Sequence, residues 1–190
     1  MSILAINTVG TGSSIAIVNY DGSYLIEHNS EGNSHAESFF RILDTLFAKH
    51  NYDYDKIDHL AVVVGPGSFT GIRVGISAAQ GMSLATGKPL YGVSTLEAKA
   101  YAIFSSPHYN KENIQSVIED HKVFYIQLFD HHLLPISKPE VLNKDKLDTH
   151  EDCHFSASHA GLLVLHRLKN KQKLNPAEAL YLNDPDYIRS

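Results

Sequence analysis

Leu60-Ala-Val-Val-Val-Gly-Pro-Gly-Ser-Phe-Thr-Gly71 is the stretch on which the architecture turns. Five apolar residues in succession, three of them valine, describe a strand buried on both faces, since a strand with one wet face alternates apolar and polar side chains. Gly65-Pro66-Gly67 ends the run, and a helix follows from about Thr70 to Thr86 with Gly87 as its stop. A strand covered on both sides that passes directly into a helix belongs to an α/β protein.

Upstream, Ile3 to Ile6 is apolar, Asn7 to Ser14 is a Gly/Ser/Thr turn, and Ser14 to Asn19 is apolar again, which reads as two antiparallel strands. Ser23 to His28 completes a meander. Ser34 with Glu37 forms a capping-box pattern ahead of Phe39, Phe40, Leu43, Leu46 and Phe47 at helical spacing. Downstream, Pro89 to Val93 reads as another buried strand and Thr95 to Phe104 as a helix stopped at Pro107. The expectation is a mixed five-stranded sheet flanked by helices. Pro107 to Asn113 interrupts both periodicities, which divides the chain into lobes 1–106 and 107–190. In the second, Gln115–Ile118 and Val123–Phe129 read as a hairpin, Glu151–Ser156 as a strand and Ala160–Lys169 as an amphipathic helix.

A chain of 190 residues buries about 70% of the surface it exposes when unfolded. With 43% hydrophobic and 19% charged residues and no low-complexity run, disordered, collagen-like and coiled-coil classes are excluded. Sixteen Lys and Arg against 21 Asp and Glu, a formal charge of −5, argue against a nucleic-acid binder that relies on its own phosphate contacts. Cys153 is the only cysteine, so no internal disulfide forms, and no stretch has the length of a signal sequence or membrane span. A cytoplasmic protein without a membrane partner is expected.

Gly65, Gly67, Ser68 and Thr70 join a strand to a helix N-terminus, where free amides and the helix dipole suit a phosphate or carboxylate. The same residues also suit an ordinary turn in which Ser68 or Thr70 caps the helix. That helix carries Gly71, Gly75, Ala78, Ala79 and Met82 as a stripe of small residues, fit for close approach of either a partner helix or this protein's own sheet. Phe39 and Leu43 lie on the preceding helix, whose apolar face is wide enough to extend such an interface. His150, Cys153, His154 and His159 are zinc-ligand types at a spacing that fits no known finger. Arg167, Lys169, Lys171 and Lys173 read as a solvated helix end.

Ile3-Leu-Ala-Ile-Asn-Thr8, Ser34-His-Ala-Glu37, Gly65-Pro-Gly-Ser-Phe-Thr-Gly-Ile-Arg73, Gly92-Val-Ser-Thr-Leu-Glu97 and Ala179-Leu-Tyr-Leu182 occur in an order that resembles the TsaB (YeaZ) family. The resemblance brackets nearly the whole chain, with a shorter and more divergent part after Phe129. It implies an actin-like ATPase (ribonuclease H-like) fold whose second lobe is reduced. It also implies an adaptor for TsaD, the relative that performs threonylcarbamoyl transfer to the adenosine beside the tRNA anticodon, working with the ATPase TsaE. The implied partners are TsaD in a heterodimer, TsaE, a second copy in isolation, and tRNA only through the complex. The small-residue stripe with Phe39 and Leu43 becomes the implied partner surface.

TsaD-like proteins hold a metal with a His-x-x-x-His pair, and the matching positions here are Thr95 and Lys99. A charged lysine repels a cation, so the resemblance implies no metal, no cofactor and no catalytic residue in this chain. Family members commonly end the first strand with Asp, whereas this chain has Asn7, a poorer magnesium partner. The rival readings are a stand-alone actin-like ATPase or kinase and a metallopeptidase.

Overall fold

The computed structural model of the chain describes residues 1–10, 12–29, 35–110, 112–120, 123–146 and 153–182. Strands β1 (Ser2–Asn7), β2 (Ser13–Asn19) and β3 (Tyr24–Asn29) form the meander, followed by α1 (His35–His50) and β4 (His59–Val63). Next come α2 (Phe69–Thr86), β5 (Leu90–Val93) and α3 (Thr95–Phe104). Then β6 (Ile114–Glu119), β7 (Val123–Phe129), β8 (Glu140–Asn143) and α4 (Ala157–Lys169) complete the order. The first sheet runs β3-β2-β1-β4-β5, with β1 antiparallel to β2 and parallel to β4. This is the mixed five-stranded sheet the sequence calls for.

The register shows how both faces are covered. Ala5 and Val18 lie on one face, where a Cβ added to Gly161 of α4 meets them at 3.0 and 2.6 Å. Val62, opposite Ile6, lies on the other face and contacts α2, since a Cβ on Gly75 comes within 3.5 Å of it. Every residue of β1 is therefore buried, as is each of Leu60 to Val64, which is why that segment has no polar alternation. The return of α4 to the first sheet is anchored at its first residue, where Ala157 N–H donates to Ser14 Oγ at 3.0 Å.

The second sheet is β6-β7-β8, antiparallel throughout. The hairpin stands where it is expected. Residues 153–156 are not a strand, and 151–152 lie outside the described residues. Ser156 instead precedes α4, its N–H donating to His159 Nδ1 at 3.0 Å, a helix-start arrangement that competes with extended pairing. The third strand, Glu140–Asn143, is half polar and carries only Val141 and Leu142 as apolar residues, too short a pattern to stand out. Among the described residues, no helix is long and apolar enough to cross a membrane.

Candidate functional site

The Gly65–Gly71 loop is clasped from two sides. Thr95 N–H, at the start of α3, donates to Gly65 O at 2.8 Å, and Leu180 N–H donates to Val64 O at 2.8 Å. Gly65 has φ +100°, and a Cβ there meets Leu180 O at 2.7 Å, so both backbone angle and space require glycine. Ser68 is the helix cap, its Oγ accepting from Gly71 N–H at 3.2 Å, while Thr70 is exposed and takes no part in it. Of the candidate anion loop, Gly65 is thus roofed by the C-terminal segment, Gly67 abuts Val9, and the Ser68 hydroxyl is already engaged. Arg73 stacks its guanidinium over Phe69 at 3.7 Å, and Phe69 packs on Tyr181 at 5.1 Å, tying the same segment to α2.

The small-residue stripe turns inward. A Cβ on Gly71 comes 2.0 Å from Thr8 O, and one on Gly75 comes 2.4 Å from Thr8 Oγ1. Thr8 Oγ1 donates to Gly71 O at 2.6 Å. The glycines thus admit the β1–β2 turn of this chain, and Ala79 and Met82 continue the same buried line. Phe39 and Leu43 are buried in the same core, and Ala78 is half-buried. As the contact face for a partner, the set Gly71, Gly75, Ala79, Met82, Phe39 and Leu43 is corrected: the chain's own atoms already occupy that space. What these helices turn outward is Phe40, 57% exposed, and Leu84, 89% exposed.

Around the start of α3 lies a charged centre hidden from solvent. Ser94 and Glu97 form a full capping box: Glu97 N–H donates to Ser94 Oγ at 3.0 Å and Ser94 N–H to Glu97 Oε2 at 2.7 Å. The other oxygen, Oε1, accepts from Arg167 Nη2 at 2.7 Å and from Asn175 Nδ2 at 3.4 Å. One carboxylate therefore joins α3, α4 and the C-terminal segment. Arg167 is 4% exposed, which corrects the reading of it as part of a solvated basic run; Lys171 and Lys173 are exposed. The S-x-x-E pattern at Ser94–Glu97 was visible in the sequence. The partner of Glu97, 70 residues away, had no local signal.

The positions that match a metal pair in TsaD-like proteins do not form one. Thr95 Oγ1 is buried and makes no hydrogen bond to a described residue, and Lys99 is 6% exposed. A threonine hydroxyl and an ammonium beside it are an unsuitable donor set for a divalent cation. Asn7 Oδ1 accepts from Val9 N–H at 3.0 Å and holds the turn after β1. Among the described residues no group of three His, Cys, Asp or Glu is arranged to hold a metal; His150 lies outside them. Burial lowers the pKa of His159, with His154 adding to the effect, and that of His166, beside Arg167 and His132.

A family model described as TsaD: tRNA N6-adenosine threonylcarbamoyltransferase matches residues 29–113. The tRNA threonylcarbamoyladenosine biosynthesis protein TsaB of Haemophilus influenzae is 30% identical over 119 residues, 63% of this chain and 49% of that protein. TsaB of Escherichia coli is 36% identical over 100 residues, 53% of this chain and 43% of that protein. The chain therefore spans less than half the length of these curated relatives in the matched region. YeaZ from Pseudomonas aeruginosa superposes with a TM-score of 0.77 at 18% identity, covering 95% of this chain and 99% of that one. The fold is thus the one seen in YeaZ from Pseudomonas aeruginosa.

Proposed function

We propose, from the premise that this chain is a relative of the TsaB/YeaZ proteins in sequence and fold, that it is a non-catalytic adaptor in tRNA threonylcarbamoyladenosine biosynthesis. Its partner is TsaD, with TsaE joining the assembly and tRNA met only through the complex; in isolation a second copy takes TsaD's place. The observation that carries this reading is the start of α3, where sequence likeness to TsaD-type proteins persists while the metal positions hold a buried threonine and a lysine. A chain that keeps the scaffold and lacks the ligands suits support of a catalytic relative. The division into lobes 1–106 and 107–190 belongs to the same reading.

The partner surface is assigned to the outward sides of α1 and α2, where Phe40 and Leu84 are exposed. They are the large apolar side chains that the described parts of these two helices leave exposed. The Gly65–Gly71 loop serves as the joint that fixes α2 against β4. Co-purification with the TsaD of the same organism tests the reading, together with ATP hydrolysis by each protein alone and by the pair. Capture of TsaD and no turnover by this chain alone is the expected result. ATP hydrolysis by the isolated chain that is lost in Asn7→Ala overturns it in favour of a stand-alone ATPase.

A further inference from the structure

The chain re-enters the first core through Ser156-Ala-Ser-His159. A helix that opens with serine often carries Glu or Gln three residues on, whose side chain accepts the backbone N–H of the serine. Here that position holds histidine, and its ring takes the role: Ser156 N–H donates to His159 Nδ1 at 3.0 Å, while His159 N–H donates to Ser156 O at 3.1 Å. Ser156 Oγ lies 3.2 Å from the same ring nitrogen and 2.9 Å from Ser158 Oγ. The next amide, Ala157 N–H, donates to Ser14 Oγ of β2 at 3.0 Å. Ser156, Ala157 and Ser158 are all buried, so while this turn is closed no water replaces a lost partner.

An imidazole accepts through Nδ1 only when that nitrogen carries no proton, so the closed turn requires a neutral ring with its proton on Nε2. Protonation places a second donor opposite the Ser156 N–H. The Ser156 hydroxyl can turn to accept the new proton, but a backbone N–H cannot reverse and is left without an acceptor. The cation also stands in the first turn of α4, at the positive end of the helix dipole. Among the described residues His154 is the titratable group whose charge acts on His159, and it too becomes cationic in acid. Cys153, on the same segment, has its Sγ 3.9 Å from His154 O. The strands β1 to β5 and α3, which pack on α4, bring no described carboxylate to the ring; Glu97 of α3 is paired with Arg167 towards the other end of α4. Burial first, and His154 second, hold protonation of His159 below the ordinary 6.5.

We propose that the first turn of α4 is a proton-operated latch, closed on β2 while His159 is neutral and opened when its ring is protonated. Opening frees Ser156 from His159 and Ala157 from Ser14. It stops short of Gly161, which stays seated against Ala5 and Val18, and of Arg167, which stays paired with Glu97. Mild acid thus loosens the entry of the chain into the first core and uncovers the buried Ser14 and Ser158 without unfolding the sheet. A ring whose folded-state value is lowered gives its full stabilisation above 6.5 and loses it as the pH falls through that lowered value. The latch uses no surface of α1 or α2, and the proposal stands independently of the adaptor reading.

Amide hydrogen exchange of the full chain, followed by NMR from about pH 7 to about pH 5 and corrected for the intrinsic rate at each pH, tests the proposal. Ser156 and Ala157 are expected to lose about tenfold or more of their protection across that window. They should also stay less protected than Ile6 of β1 and Val62 of β4 at every pH, as a local opening requires. His159→Gln offers Oε1 to the Ser156 N–H, as the glutamine of a capping box does, and takes up no proton, so protection at Ser156 and Ala157 should stay level. Level protection in the wild type overturns the proposal, as does the wild-type loss repeated in the glutamine variant. Protection at Ser156 and Ala157 equal to that at Ile6 and Val62 overturns it too, because the whole molecule then opens at once. Ring nitrogen shifts of wild-type His159 decide the matter even if His159→Gln misfolds. The Nε2–H tautomer at neutral pH, and a titration midpoint that coincides with the loss at Ala157, are expected; an Nδ1–H tautomer, or a midpoint apart from that loss, overturns the latch.

Discussion

β1-β2-β3 and β6-β7-β8 are the same meander carried to different ends. The first continues through β4 and β5 and is closed on one face by α1 and α2 and on the other by α4, so that all six residues of β1 are buried. The second stays at three strands, and after β8 the chain sends α4 back to the first sheet, where a Cβ on Gly161 meets Ala5 and Val18. Much of the second half is thus used to finish the first core. A small domain has enough apolar area for one two-sided sheet, and the remaining sheet stays at three strands.

If α4 completes the first sheet, cutting its tie to α3 should be the most damaging change. Arg167→Met leaves the buried Glu97 carboxylate without its cation, and breaking a buried pair of this kind costs about 3–5 kcal/mol. Urea denaturation followed by circular dichroism reads the loss, and Glu97→Gln in the same chain should recover part of it. Equal stability of Arg167→Met and wild type would separate α4 energetically from the first sheet.

Two glycines of α2 sharpen the contrast between core and surface. Gly71→Ala places a methyl 2.0 Å from Thr8 O and should cost about 1–3 kcal/mol. Gly81, on the same helix, has nothing within 4 Å of its added Cβ, so Gly81→Ala should stabilise by about 0.5–1 kcal/mol. Opposite signs from one substitution on one helix are the expected urea-midpoint result. Destabilisation by both would place the outward side of α2 in the core.

Histidines set the acid side of the stability profile. His59, His159 and His166 all have pKa values held below the ordinary 6.5, in each case first by burial. Above 6.5 folded and unfolded chains hold these rings neutral and the full stability is present. As the pH falls from there, the unfolded chain takes up protons first, so stability is lost down through the lowered folded-state values. The melting temperature should therefore fall between about pH 7 and pH 5, less so in a His159→Gln, His166→Gln variant. Near-equal melting temperatures across that window would contradict the burial of these rings. The smallest effect belongs to Leu84→Ser, which at 89% exposure should leave folding stability within about 0.5 kcal/mol, read by the same urea titration.

What the sequence disclosed follows from how local each signal is. The Leu60–Gly71 run, Gly87 and the apolar Pro89–Val93 stretch act over a few residues, and the strands and helices around them stand within a residue or two of their expected places. The orientation of the α2 stripe was not local: whether Gly71 and Gly75 admit a partner or the chain's own turn depends on Thr8, more than 60 residues earlier. Arg167 is a similar case, since a cation near a helix end has the same local pattern whether it faces water or a carboxylate 70 residues away. β8 carries too few apolar residues to show a period.

The assignment of the outward sides of α1 and α2 as the partner surface is tested most directly by calorimetric titration of TsaD into this chain and into its Phe40→Ser, Leu84→Ser variant. The account predicts TsaD affinity lowered about tenfold or more in the variant, with circular dichroism and melting temperature unchanged. Unaltered affinity in a folded variant would contradict it.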